Sequence, residues 1–146
     1  MTKEEKELLL KDLCARLPYG VKLGFYASAT KQTYVCTLLG LEPQEEEPII
    51  AKTENGCFYM FAGNVKPYLF PLSSMTEEQK KEYNSLRDRV TTYHYENGNI
   101  VEDTELHDNW KSIDYLNANH FDYRGLIEKG LATDATGSPI YSVPVH

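Results

Sequence analysis

The hydrophobic residues at the start of the chain recur at the spacing of one helical face. Thr2 followed three residues later by Glu5 has the form of a capping box, and Pro18 and Gly20 interrupt the pattern. The pattern predicts an amphipathic first helix over residues 3–16. Its predicted apolar stripe consists of Leu9, Leu10, Leu13, Cys14 and Leu17.

From Val21 onwards the hydrophobic period changes to that of a strand. Apolar and polar residues alternate as far as Ala27, and β-branched and aromatic residues are frequent over 33–41, so two strands are predicted. Residues 42–48 combine four glutamates with two prolines. Such a segment cannot form a central strand, and we expect an exposed loop.

Asn55-Gly56 lies between two further strand patterns, 49–53 and 57–61. This dipeptide favours a type I′ turn, which needs positive φ at both central residues, so the pattern predicts a hairpin. Residues 66–75 contain two prolines and are predicted to be an extended connection between secondary-structure elements.

The second half of the chain alternates helix and hairpin signals. A second capping-box pattern at Thr76 predicts a helix over about 77–89. Residues 90–95 are rich in strand-forming types and lead into Asn97-Gly98, which predicts a second hairpin. The apolar spacing over 109–120 predicts a short third helix.

These elements together predict an α+β fold with about three helices packed on an antiparallel sheet of about four to six strands. A chain of 146 residues, 41% of them hydrophobic, is enough for one such core. We therefore expect a single domain over residues 1–131. The Gly-, Ser- and Pro-containing residues 132–146 are predicted to form a C-terminal arm that is peripheral or partly disordered.

Composition excludes several functional classes. The 22 Asp and Glu and 15 Lys and Arg residues give a net charge of −7, and the five acids of the segment 96–108 have no Lys or Arg among them, so nucleic-acid binding is disfavoured. No apolar run is long enough to cross a bilayer and the first residues do not resemble a signal peptide, so a cytoplasmic location without a membrane partner is expected. The three cysteines, Cys14, Cys36 and Cys57, are predicted to be reduced core residues.

The sequence contains no motif that identifies an enzyme. Phosphate-loop, dinucleotide-binding and nucleophile-elbow motifs are absent, and none of the four histidines lies three or four residues from another. No catalytic residue, metal site or cofactor is therefore predicted. Oligomeric state is left open.

The densest polar cluster of the sequence is Asn119 to Arg124. Here His120, with Asp122 or Asp114 as an orienting carboxylate, has the composition of a general base. A structural interpretation competes with this one: His120 continues the apolar face of the third helix, Asp122 caps the following turn, and Arg124 pairs with an acid on a neighbouring element.

A second group, Lys66 and Tyr68, offers a cation and an aromatic surface to a ligand. The candidate binding residues are Lys66, Tyr68, Trp110, His120, Asp122, Tyr123 and Arg124.

Two segments resemble a known family. Lys66 to Glu78 (KPYLFPLSSMTEE) and Tyr115 to Ala132, which contains NANHFDYRGLIEKGLA, are similar to blocks of small uncharacterised proteins encoded in gut-bacterial genomes and prophages, and Leu9 to Gly20 is similar as well. The family has no established activity, so the resemblance implies no catalytic residue. Phe70 replaces an arginine of the family block, which weakens an anion-binding role for that segment, and Tyr115 replaces a tryptophan.

The prediction for function is a non-enzymatic accessory or interaction protein of phage or mobile-element type. Eleven tyrosines exceed what a core of this size needs, and aromatic residues are enriched at protein interfaces, so the predicted partner is another protein bound near the second block. Two alternatives stay open. One is a small hydrolase that uses His120, and the other is a small-molecule binding module that uses Lys66, Tyr68 and Arg124.

Overall fold

The first helix, α1, spans Lys3–Arg16 and begins where the capping box predicts. The Thr2 hydroxyl accepts the Glu5 N–H, and the Glu5 carboxylate accepts the Thr2 N–H. The other two helices are α2, Glu77–Leu86, and α3, Trp110–Ala118. The structure, a computed structural model, describes residues 1–141.

Nine strands lie within those residues, and they form two sheets. In chain order they are β1 Lys22–Ala27, β2 Gln32–Leu41, β3 Ile49–Thr53, β4 Gly56–Met60, β5 Val65–Pro71, β6 Asp88–Glu96, β7 Asn99–His107, β8 Phe121–Asp122 and β9 Thr133–Asp134. The larger sheet has the order β4-β3-β2-β1-β5-β8, and β9 also pairs with β5. The smaller sheet consists of β6 and β7. The predicted α+β class is confirmed.

The larger sheet is mixed, since β5 pairs in parallel with both β8 and β9. It has seven strands and is not the antiparallel sheet of four to six strands that the sequence predicts. Residues 66–75, predicted to be a connection, supply most of β5, and the short strands β8 and β9 are additional, whereas the predicted second hairpin forms the separate sheet of β6 and β7. Pro67 is tolerated in β5 because it lies opposite Leu23 in the last register pair between β1 and β5. Its missing N–H therefore interrupts no later pair of these two strands.

The chain divides into two compact units. The larger comprises Met1–Ser74 and the chain from Asn117 onwards, and the smaller comprises Met75–Leu116. In the larger unit, α1 contributes Leu9 and Leu13 to a continuous hydrophobic core. The other fully buried aliphatic residues of this core are Val21, Leu23, Ile49, Ala51, Leu69 and Leu126.

The buried face of α1 differs from the predicted stripe. Asp12 and Arg16 lie beside Leu9 and Leu13 and are completely buried, whereas Cys14 is exposed. Leu9, Asp12, Leu13 and Arg16 have the spacing i, i+3, i+4 and i+7 of a single helical face. Two charged residues therefore occupy half of the face that α1 turns towards the core.

The two hairpins have different turns. Asn97 and Gly98 both have positive φ, 52° and 80°, as the predicted type I′ turn requires. In the β3–β4 hairpin the loop residues are Glu54 and Asn55, and Gly56 is the first residue of β4. Gly56 has positive φ, whereas Glu54 and Asn55 do not. The type I′ prediction is wrong at this turn because the Thr53 hydroxyl accepts the Asn55 N–H and donates to the Gly56 carbonyl, which closes the loop one residue earlier.

In the smaller unit, α2 ends three residues before its predicted boundary because the chain enters β6 at Asp88. Arg87 lies at this junction, donates to the Leu106 carbonyl and stacks over the Tyr83 ring. The Tyr83 hydroxyl donates to Asp108. Strands β6 and β7 then pair over nine residues each.

The described part of the predicted C-terminal arm packs on the larger sheet. Ala132 and Ala135 are buried, the Ala135 N–H donates to the Leu69 carbonyl, and Thr133 and Asp134 pair with β5. The remainder of the predicted arm, residues 142–146, lies outside the described residues. Among the residues that are described, no helix is long and apolar enough to span a membrane.

Candidate functional site

The segments 66–78 and 115–132 meet through backbone pairing in the larger sheet. Phe70 and Phe121 are register partners in β5 and β8, and the Phe70 N–H donates to the His120 carbonyl at 2.8 Å. The Phe70 ring lies 6.2 Å from that of Phe121 and 5.8 Å from that of Tyr141. Phe70 thus packs in an aromatic cluster with Phe121 and Tyr141.

The Tyr141 hydroxyl continues the β1–β5 ladder beyond Pro67. It accepts the Lys22 N–H at 2.9 Å and donates to the Tyr68 carbonyl at 2.7 Å. Burial is the main cause that raises the pKa of this phenol, so it stays protonated and able to donate.

A buried charge cluster lies beneath the second block. Arg16 donates to both carboxylate oxygens of Asp12, at 2.8 and 3.2 Å, and to the Phe121 carbonyl at 2.6 Å. The Arg124 Nε lies 3.3 Å from the same carboxylate. Asp12 therefore stands between two guanidinium groups, and the cluster of these three side chains carries one net positive charge.

Tyr123 connects the cluster to the end of α3. Its ring lies 5.4 Å from the Arg16 guanidinium carbon and 5.0 Å from that of Arg124, which are cation–π distances. Its hydroxyl donates to the Asn117 side chain at 2.9 Å and accepts from Arg124 at 3.3 Å.

Asp122 is engaged entirely with the backbone in the contacts that the structure shows. Its carboxylate accepts the N–H groups of Arg124, Leu126 and Ile127 at 3.2, 3.1 and 2.9 Å. The sequence predicted both this capping role and a pairing of Arg124 with an acid of a neighbouring element. Asp122 thus fixes the turn that carries Arg124.

The sequence predicts that His120 continues the apolar face of α3, and this is wrong. His120 follows the helix in a left-handed conformation with φ 62°. Its ring stacks on that of Tyr141 at 3.8 Å. Burial, followed by the positive charges of Arg16 and Lys22, lowers the pKa of His120 to about 4, so the ring is neutral at pH 7. Its Nδ1 is buried and has no hydrogen-bond partner among residues 1–141.

The arrangement does not form the acid–base pair of the hydrolase hypothesis. Asp122 directs both oxygens at backbone N–H groups, and the His120 Nδ1 is not bonded to it. A general base needs a hydrogen-bonded group to fix its tautomer, and the described residues do not supply one at this nitrogen.

The remaining candidates are Lys66, Tyr68 and Trp110. Lys66 is exposed on the face of β5 opposite the core, and Tyr68 on that face packs against Gly24, where an added Cβ would lie 3.0 Å from the tyrosine hydroxyl. Trp110 lies in the smaller unit, is 76% exposed, and has the Lys111 ammonium 5.6 Å from its ring.

A groove that the sequence analysis missed lies beside β4. It has a volume of about 770 Å³, and its lining includes Phe25, Tyr34, Phe58, Tyr59 and Glu54. Register and strand alternation place Phe25, Tyr34 and Phe58 on the same face as the buried core residues of the sheet. The signal was present as aromatic residues at every second position next to apolar ones, but strand order was needed to bring them together.

The three cysteines differ in their exposure to solvent. Cys36 is buried, and burial raises the pKa of its thiol to about 11, but Cys14 and Cys57 are exposed, so the prediction of three core cysteines is wrong for two of them. In residues 1–141 no three His, Cys, Asp or Glu side chains are grouped so as to hold a metal ion.

Comparison with known proteins gives no family assignment. No family model matches the chain, and no curated protein or solved structure is significantly similar to it. The resemblance of the two blocks to prophage-encoded proteins stays a prediction.

Proposed function

We propose that this protein is a non-enzymatic interaction protein that binds an extended, basic and apolar segment of another protein as an additional strand on β4. The observation that carries the proposal is an unprotected sheet edge next to an aromatic groove. A phage or mobile-element context, predicted from the resemblance, is compatible with such an accessory role.

The edge is open because β4 is the terminal strand of the larger sheet among the described residues. Its sequence, Gly-Cys-Phe-Tyr-Met, contains no charge and no proline. Natural proteins usually protect exposed edges with lysine, proline or a bulge, because unpaired N–H and C=O groups recruit other strands. An edge without these devices favours strand addition, a common mode of peptide recognition.

The groove supplies the side-chain contacts that strand addition needs. Phe58 and Tyr34 are 46% and 44% exposed although they continue the apolar face of the sheet. Alternate side chains of an added strand point towards one face, so apolar residues at every second position would cover these rings. Burial of such aromatic surface is a major source of binding free energy.

The charges around the edge favour a basic partner. Glu54 lines the groove, and the Tyr59 hydroxyl donates to Glu42, the first of the four glutamates in the loop 42–48. The negative charge of Glu42 is the main cause that raises the pKa of Tyr59. These carboxylates favour a partner with Lys or Arg between its apolar residues, and they oppose a second copy of this acidic chain.

The test is a titration with eight-residue peptides followed by NMR. A capped peptide of alternating Lys and Val is expected to shift the backbone amide signals of Gly56–Met60 and to slow their hydrogen exchange. A Glu-Val peptide is expected to bind much more weakly, and a Lys-Val peptide with alternate N-methyl groups should fail because one edge lacks N–H donors.

Matched variants separate the groove from general aromatic exposure. Phe58→Ser should abolish the shifts, and Phe61→Ser, which removes a similarly exposed ring outside the groove lining, should retain them. Shifts located away from β4, equal binding of both peptides, or dimerisation of the free protein through β4 in light scattering would each contradict the proposal.

A further inference from the structure

We propose that the buried cluster of Arg16, Arg124 and His120 binds a small oxyanion, either a carboxylate or a phosphate. This site is distinct from the β4 groove and does not depend on the proposed strand addition. The inference follows from unmatched positive charge and from buried nitrogen atoms that the described residues leave without hydrogen bonds.

The charge argument concerns Asp12, the carboxylate shared by both arginines. Arg16 is completely buried and Arg124 is only 21% exposed at its side chain. A buried charge is costly unless it is paired, and one carboxylate neutralises only one of the two guanidinium groups. Asp122, the other buried carboxylate of this region, accepts backbone N–H groups in the described contacts, so the side chains of Asp12, Arg16 and Arg124 keep one net positive charge.

The hydrogen-bond argument leads to the same place. Arg16 Nη1, Arg124 Nε and His120 Nδ1 are buried and make no hydrogen bond within residues 1–141, although Arg124 Nε keeps its ion-pair contact with Asp12 at 3.3 Å. Two of the three atoms belong to permanently charged donors, and a neutral imidazole with its proton on Nδ1 supplies a third. Buried polar atoms without partners are rare in proteins and often indicate an unobserved water or ion.

The three groups are linked through the backbone of residues 120–124. The Phe121 carbonyl accepts from Arg16, and Phe121 follows His120 directly in the chain. The Asp122 carboxylate fixes the turn that carries Arg124, and the Tyr141 ring holds the His120 ring by stacking. Arg124, Tyr123 and His120 are only partly buried, so the cluster can be approached from solvent.

An oxyanion matches these donors better than other ligands. A planar guanidinium donates two parallel hydrogen bonds to a carboxylate or phosphate, and charge-assisted bonds of this kind are the strong ones. A cation would be repelled by the net positive charge. A neutral ligand would satisfy donors but leave the charge unmatched.

The experiment measures thermal stabilisation by sodium phosphate and sodium acetate at constant ionic strength, with sodium chloride as the reference. We expect one of the two anions to raise the melting temperature with a saturable dose response and to shift the side-chain NMR signals of Arg16 and His120. A phosphate-only response identifies a phosphate site, and an acetate-only response identifies a carboxylate site.

Two variants and a matched control decide the location. Arg124→Gln should weaken binding by about tenfold or more, since it removes one charge-assisted donor. Lys129→Gln, which removes an exposed charge from the same segment, should bind like the unmodified protein. Arg124→Lys keeps the charge but loses the fork geometry, and it serves as the folded comparison if Arg124→Gln unfolds.

Three outcomes would overturn the inference. They are the absence of a saturable response to either anion, equal loss of binding in Lys129→Gln and Arg124→Gln, and a crystal structure grown in phosphate and acetate in which water alone contacts Arg16 Nη1.

Discussion

Replacement of Asp12 by alanine tests how the buried charges contribute to stability. In the folded protein this carboxylate accepts two hydrogen bonds from Arg16 and lies 3.3 Å from Arg124. The substitution leaves two guanidinium groups without their counter-ion, one of them completely buried. Since water cannot replace the lost carboxylate freely at that depth, the variant should be strongly destabilised.

The size of the effect follows from the burial of the pair. Removal of one partner of a buried ion pair typically costs about 3–5 kcal/mol. For a chain of this size each kcal/mol corresponds to roughly 2–4 °C, so Asp12→Ala should lower the melting temperature by about 6–20 °C. The assay is urea and thermal unfolding followed by circular dichroism, at pH 7 and without added phosphate or acetate.

Two further variants make the interpretation specific. Glu7→Ala removes the same charge from an exposed position of α1 and should change the free energy of unfolding by about 0.5 kcal/mol at most. The double variant Asp12→Leu with Arg16→Met should recover part of the loss, because an apolar pair replaces an ion pair at little cost. A loss of less than about 1 kcal/mol for Asp12→Ala would refute the reasoning.

Three smaller predictions concern single contacts. His120 has a folded pKa of about 4 against 6.5 for the free side chain, so the unfolded chain binds more protons between these pH values and stability falls as pH falls from 6.5 to 4. His120→Asn, which tolerates positive φ, should reduce this pH dependence of stability by about 2 kcal/mol after allowance for partial exposure. An equal pH dependence of the free energy of unfolding in both proteins would contradict this. Tyr141→Phe removes the bridge between the Lys22 N–H and the Tyr68 carbonyl and should cost about 1–3 kcal/mol in urea unfolding, with faster amide exchange at Lys22 as the specific signature; unchanged exchange there would be inconsistent with the bridge. Thr76→Ala removes the cap of α2 and should cost about 1 kcal/mol, whereas Thr76→Ser should cost almost nothing; equal losses in thermal unfolding would argue against capping.

The site candidates of the sequence were only partly brought together. His120, Tyr123 and Arg124 do share one cluster, yet its anchors, Asp12 and Arg16, were not singled out. The sequence does contain a pattern that relates them: Asp12 and Arg16 share one helical face with Leu9 and Leu13, at the spacing i, i+3, i+4 and i+7. A helical wheel alone does not tell whether a charged pair on such a face is buried, because its partner, the Phe121 carbonyl, is 105 residues away.

The sequence by itself determined the features that depend on a few neighbouring residues. Both capping boxes form, and Asn97-Gly98 makes a type I′ turn, because these structures close through hydrogen bonds and φ preferences within a few positions. Binary patterning likewise placed α1 and the first four strands within one or two residues. Local free energies decide these elements before the rest of the chain is considered.

The tertiary structure alone decided what depends on distant partners. It made a proline-containing segment into the strand β5, since pairing with β1, β8 and β9 outweighs the poor strand preference of Pro67 and Pro71. It also left β4 as an open edge beside an aromatic groove and buried Arg16 against a carboxylate, Asp12, that it shares with Arg124. Strand order and burial are sums over long-range contacts, and no local pattern encodes them.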